Sequence, residues 1–161
     1  MIVGVMGSGT EDHATLAAPL GRWIAQAGHH LLTGGGGGVM ASVSAAFVAV
    51  EPRAGVSIGV LPGPDHRPGY PSPSVEIPIR THLPLSGAMG TDARSRNHIN
   101  VLTSDVVVAL PGGEGTRSEV QLAVRYSRPV FLLGPRDAFW EWPRAERVDT
   151  LVELARLLEA L

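Results

Sequence analysis

Apolar and polar positions along this chain follow two alternating periods. Short runs of mostly branched apolar residues recur at Ile2–Met6, His30–Thr33, Val56–Leu61, Val75–Ile79, Asp105–Leu110 and Pro129–Leu133. Runs of this length, most of them bounded by glycine or proline, predict buried strands. Between them the apolar positions fall at helical spacing. Leu16, Leu20, Trp23, Ile24 and Ala27 predict a first helix ending at Gly28, a residue suited to a left-handed C′ position. Pro19 lies inside that pattern, so the helix is expected to start near it or to kink there. Val39–Val50, Thr91–Leu102 and Thr116–Tyr126 predict three further helices. Thr150–Leu161 predicts a closing amphipathic helix, opened by Thr150 with Glu153 three residues on. Pro62–Ser74 (PGPDHRPGYPSPS) has too many prolines for either regular state and reads as a loop.

Strands alternating with helices place the chain in the α/β class. We expect a Rossmann-like, doubly wound, mainly parallel sheet with helices on both faces, formed as one domain over residues 1–161. The glycines sharpen this picture. Of the 20 in the chain, many cluster directly after expected strands, at Gly7-Gly9, Gly34–Gly38 and Gly112–Gly115. Strand-end glycines are how a doubly wound sheet builds a ligand crevice.

The sharpest junction is Asp105–Glu119, DVVVALPGGEGTRSE. A buried strand breaks on Pro111-Gly112-Gly113, and a helix opens at once. The first turn of a helix offers free N–H groups and the positive end of its dipole, and glycine lets an anion approach closely. Gly112, Gly113, Gly115 and Thr116 are therefore expected to bind a phosphate. Gly34, Gly35, Gly36 and Gly37 open the Val39 helix in the same way, and Gly7 and Ser8 are expected to complete the crevice from the first strand. Arg96 carries a fork that suits a phosphate or carboxylate. Asn97 and Asn100 have amides able to read a heterocycle edge, although most such residues on a helix are plain surface amides. Locally, Thr116–Glu119 also reads as a capping box, with Glu119 reaching back to the Thr116 N–H.

Composition removes several function classes. The chain has no cysteine, which excludes disulfides, thiolate nucleophiles and cysteine-based metal sites. The six histidines show no metal-ligand spacing, so no protein-ligated metal is expected. A formal charge of −2 gives no support for a nucleic-acid partner. No apolar run reaches membrane-spanning length, and MIVGVMG lacks the basic start of a signal peptide, so we expect no membrane partner and a cytoplasmic setting. Nicotinamide dinucleotides are not expected. The first turn, Gly7-Ser8-Gly9-Thr10-Glu11-Asp12, lacks the third glycine of the fingerprint, and the second strand ends in Thr33 rather than a ribose-binding acid. GxxxxGK[ST] is also absent.

TGGGGGVM (33–40), SRNHIN (95–100) and PGGEGTRSE (111–119), taken together, resemble a known superfamily. It joins the LONELY GUY cytokinin-nucleotide phosphoribohydrolases, often called lysine decarboxylases, with the molybdenum cofactor carrier proteins. The likeness runs from Val3 to Gly134. The stretch 96–134, with VGVMGSG and VLPGPDH (60–66), is more similar to the carrier branch. The phosphoribohydrolases usually carry a lysine where this chain has Asn97, and a second acid where it has Ser118.

The resemblance implies binding and carriage or storage of a phosphorylated heterocycle, the molybdenum cofactor, as a homo-oligomer (dimer or tetramer). A pyranopterin phosphate would sit on the glycine turns while its own dithiolene holds the metal. The same resemblance keeps an enzymatic alternative open, a nucleoside 5′-monophosphate phosphoribohydrolase. In that branch Arg96 and Glu119 match the arginine and glutamate that work on the ribose side of the N-glycosidic bond. A nucleotide-sensing domain without either activity is a third reading.

Overall fold

The computed structural model describes residues 1–64, 68–142 and 144–161. Residues 65–67, which include the end of the VLPGPDH motif and part of the proline-rich loop, lie outside the described residues, as does Pro143. Seven strands form one sheet: β1 (Ile2–Met6), β2 (His30–Thr33), β3 (Ser57–Leu61), β4 (Ile77–Arg80), β5 (Val106–Ala109), β6 (Val130–Leu133) and β7 (Glu146–Val148). Their order is β4-β3-β2-β1-β5-β6-β7, and every pairing is parallel. Five α-helices connect or follow them: α1 (Ala14–Gln26), α2 (Val39–Val48), α3 (Asn97–Thr103), α4 (Glu114–Arg125) and α5 (Leu151–Glu159).

Period-two alternation feeds two cores, one on each face. Val106, Val108 and Leu110 pack with Leu20 and Ile24 of α1, Val43 and Phe47 of α2, and Leu154 and Leu158 of α5. Val107 and Ala109 point the other way, against Val101 of α3 and Val120 and Leu122 of α4. Between its edges the sheet is thus covered on both sides, while the edge strand β4 is exposed along its whole length.

This winding fixes where a ligand can bind. From β1 the chain builds outward to β4, then returns past β1 to lay down β5, β6 and β7 on the other side. The direction reverses between β1 and β5. At such a switch point the loops leaving adjacent strands diverge and open a crevice at the strands' carboxyl ends.

Several elements differ from the sequence expectation. Helix α3 begins at Asn97, not Thr91, because side chains capture the preceding backbone: Asp92 Oδ1 accepts from the Arg94 N–H at 2.8 Å, and Ser95 Oγ from the Asn97 N–H at 3.1 Å. Such local bonds compete with helix formation. Helix α4 begins at Glu114, with Gly113 as its N-cap. Thr116 therefore lies within the first turn and Glu119 deeper in the helix, so the expected capping box there does not form. At α5 the cap forms, Thr150 Oγ1 accepting from the Glu153 N–H at 3.2 Å, while Glu153 Oε2 reaches back one residue past the cap to the Asp149 N–H at 3.1 Å. Pro19 is accommodated inside α1, which starts five residues before it. Strand β7 was not expected: three residues, two of them charged, leave no alternation to read. Among the described residues, no helix is long and apolar enough to cross a membrane.

Candidate functional site

The loops leaving β1, β2 and β5 converge, with the start of α3, on a cleft of about 400 Å³. Gly7 from the first loop, Gly34, Gly36 and Gly37 from the second, Gly115 and Thr116 from the third, and Arg96 and Asn97 from α3 all line it, with Glu119. Gly35, Gly112, Gly113 and Ser8 belong to the same loops but do not form its wall. The cleft brings together most of the site residues expected from the sequence.

Two glycines are needed for close approach rather than for turning. A Cβ at Gly112 would run into the Thr116 hydroxyl and the Ser8 backbone nitrogen. One at Gly34 would run into the Arg96 guanidinium, which lies flat against the end of β2. Ser8 is consumed in tying the loops. Its N–H donates to the Pro111 carbonyl at 3.1 Å, its carbonyl accepts from the Val39 N–H at 2.9 Å, and its hydroxyl accepts from the N–H groups of Thr10 and Glu11.

The α4 N-terminus presents the N–H groups of Glu114, Gly115 and Thr116, for which the helix has no acceptor; its first internal bond is Arg117 N–H to Gly113 O at 3.0 Å. Around this turn several buried polar atoms lack a hydrogen-bond partner: Thr116 Oγ1, Arg96 Nε and Nη1, Asn97 Oδ1 and Asn100 Oδ1. Buried polar groups are almost always paired, so an unpaired cluster at one cleft marks a surface built for polar contacts. Anion acceptors would satisfy the arginine and the helix N–H groups, and a ligand N–H or O–H group the Asn97 amide oxygen.

Among the described residues, Arg96 and Glu119 are the oppositely charged groups that line the cleft. Arg96 Nη1 lies 3.7 Å from Glu119 Oε1, with both side chains almost wholly buried. The Asn100 amide donates to the same carboxylate oxygen at 2.9 Å. Burial pushes the Glu119 carboxyl above the usual carboxylate range, against the opposing pull of Arg96 and the Asn100 bond. Asn97, 1 % exposed, donates through Nδ2 to Ser118 Oγ at 3.0 Å. Ser118 Oγ also lies 2.7 Å from the Gly115 carbonyl, to which it donates.

A model of the SLOG cluster4 family matches residues 1–157. The chain belongs to that family. A relative from Archaeoglobus fulgidus, described as an uncharacterized protein, is 31 % identical over 137 residues, covering 84 % of this chain and 81 % of its own. Two solved structures are similar over 99 % of this chain. One is the molybdenum cofactor binding protein of the phototrophic bacterium Rippkaea orientalis, 33 % identical with a TM-score of 0.75 over 95 % of that chain. The other is the molybdenum cofactor carrier protein of Chlamydomonas reinhardtii, 34 % identical with a TM-score of 0.77 over 96 % of that chain. The superfamily resemblance read from the glycine and arginine motifs is thereby borne out.

In this SLOG cluster4 chain the sequence reading missed one side of the cleft. Met6, Met40, Pro62, Pro68 and Tyr70 line it. Met6 and Met40 read as ordinary core residues of a strand and a helix, and the 62–74 loop gave no sign of whether it touched the crevice. At β2, Thr33 Oγ1 accepts from the Gly35 N–H at 3.1 Å, at the position where dinucleotide-binding folds carry a ribose-binding acid. Among the described residues no three His, Cys, Asp or Glu side chains gather as a metal site.

Proposed function

We propose that this protein binds and carries a phosphorylated heterocycle, with the pyranopterin phosphate of the molybdenum cofactor as its cargo. The observation that carries this reading is the clustering of Arg96 Nε and Thr116 Oγ1, buried polar atoms without a hydrogen-bond partner, beside the open N–H groups of α4. That set suits a phosphate ester. The unpaired amide oxygen of Asn97, which lines the cleft, suits an N–H donor of a pterin edge. Both similar solved structures are described as molybdenum cofactor proteins, which supports the choice of cargo. The dithiolene of the cofactor holds its own metal, so the chain needs to supply only phosphate and ring contacts.

A second reading has one specific observation in its favour: Arg96 and Glu119 share the cleft at 3.7 Å. A carboxylate and a guanidinium so placed suit a ribosyl centre, as in a nucleoside 5′-monophosphate phosphoribohydrolase. One experiment divides the two. The purified protein is analysed by mass spectrometry and metal analysis for what copurifies, then incubated with adenosine monophosphate. Bound pterin phosphate with molybdenum, and little or no free adenine, is the expected result. Release of adenine and ribose 5-phosphate that depends on Glu119 overturns it.

We also propose a homo-oligomer, a dimer or tetramer, since Leu102 on α3 and Met89 in the turn packed against α4 stand exposed. Light scattering at micromolar concentration that returns a monomer overturns this.

A further inference from the structure

The cleft has two chemically different ends. One is the polar end already described, where α4, Arg96 and Glu119 meet. The other is walled by Met40 at the start of α2, Tyr70, and the prolines Pro62 and Pro68. Tyr70 is far from the glycine loops in sequence but is tied to one of them. Its hydroxyl donates to the Gly34 carbonyl at 2.9 Å, which sets the ring above the loop leaving β2. Gly36 lies close to both Met40 and Tyr70. A Cβ placed there would stand 2.8 Å from Met40 Cε and 3.9 Å from Tyr70 Cε2, so this bare glycine leaves room beside both side chains.

We infer that Tyr70, Met40 and Gly36 form the seat for the planar ring of the ligand, with Tyr70 the residue that selects a flat heterocycle over a sugar phosphate. The inference rests on the phosphate-ester reading above and adds an orientation to it: phosphate at the α4 turn, ring against Tyr70. A flat unsaturated ring gains from an aromatic wall, and a methionine thioether is a soft, adaptable partner for it. A sugar or a bare phosphate gains little from either. Anchoring the tyrosine hydroxyl on Gly34 removes ring freedom before the ligand arrives, which lowers the entropic cost of stacking.

The test uses the full chain with three probes: inorganic phosphate, ribose 5-phosphate and adenosine monophosphate. Affinities are measured by calorimetry for wild type, Tyr70→Ala and Tyr70→Phe. Purine absorbance is followed as well, since stacking lowers it. In the wild type, adenosine monophosphate is expected to bind more tightly than ribose 5-phosphate and to lose absorbance on binding. Tyr70→Ala is expected to weaken adenosine monophosphate about tenfold, with ribose 5-phosphate unchanged, because a base on an aromatic platform contributes about that much. Tyr70→Phe keeps the platform and is expected to stay within about threefold of wild type and to retain the absorbance loss. If Tyr70→Ala weakens both esters alike, or neither, the ring seat is wrong while the phosphate site stands. If the wild type binds no phosphate ester at all, the phosphate reading itself falls and the ring seat with it.

Discussion

Asn97 and Ser118 hold each other: the amide of one donates to the hydroxyl of the other at 3.0 Å. These are the two positions where the phosphoribohydrolases usually carry a lysine and a second acid. A charged pair in that branch is matched here by a neutral one, and Arg96 remains the cation beside Glu119. The bond also orients the Asn97 amide, since Ser118 spends its proton on Gly115 and must accept from Nδ2. That leaves Asn97 Oδ1 as the atom still lacking a donor. Ser118→Ala removes the acceptor from a buried donor and is expected to cost about 1–2 kcal/mol in urea denaturation.

Arg96→Ala is expected to weaken phosphate-ester binding by about 1.5–3 kcal/mol, the loss of a charge-assisted contact. Gly34→Ala tests the same contact from the other side. Its methyl would strike the guanidinium, the far end of a flexible chain, and so displace Arg96 with little effect on the backbone. Calorimetric titration with ribose 5-phosphate should show both variants weakened, while the melting temperature of Gly34→Ala stays close to wild type.

Glu119 links stability to pH with a definite sign. Because burial raises its affinity for a proton, the native state stays protonated at pH values where the unfolded chain has already ionised. The native state then binds more protons, so this contribution is complete below the ordinary carboxylate pKa. It is lost as pH rises through the raised one. The slope is at most about 1.4 kcal/mol per pH unit for one group. Glu119→Gln, neutral throughout, is expected to remove the decline when unfolding free energies are compared from about pH 5 to 8.

Thr150→Ala removes the α5 N-cap, far from the cleft. It is expected to cost about 1 kcal/mol in denaturation and to leave phosphate-ester affinity unchanged. A change in affinity would mean that α5 acts on the cleft, which nothing in its contacts with β6 and β7 implies.

The parts of this molecule that were legible in the sequence are those whose signal is local and repeated. Six of seven strands read correctly because buried parallel strands are short, branched and bounded by turn residues. The glycine junctions read as ligand loops because several glycines after one strand exceed what a turn needs. Thr116–Glu119 misled for the opposite reason: a four-residue pattern has the right letters for a cap, but the true cap is Gly113, a residue with no side chain to announce it. Glu119 was thereby freed to face Arg96. Tyr70 and Met40 stayed invisible because their role depends on which loop crosses which strand end, a property of tertiary packing that no window of sequence contains.

Ser8 spends its backbone N–H and its carbonyl on binding the loops to one another, and its hydroxyl on the turn of its own loop. The first two of these span three neighbouring strand ends, from Pro111 after β5 to Val39 at the head of α2. A ligand therefore arrives at a seat whose outline is already drawn, and little of its binding energy goes into ordering the chain. Residence time is then governed by how fast contacts break rather than by how fast loops rearrange.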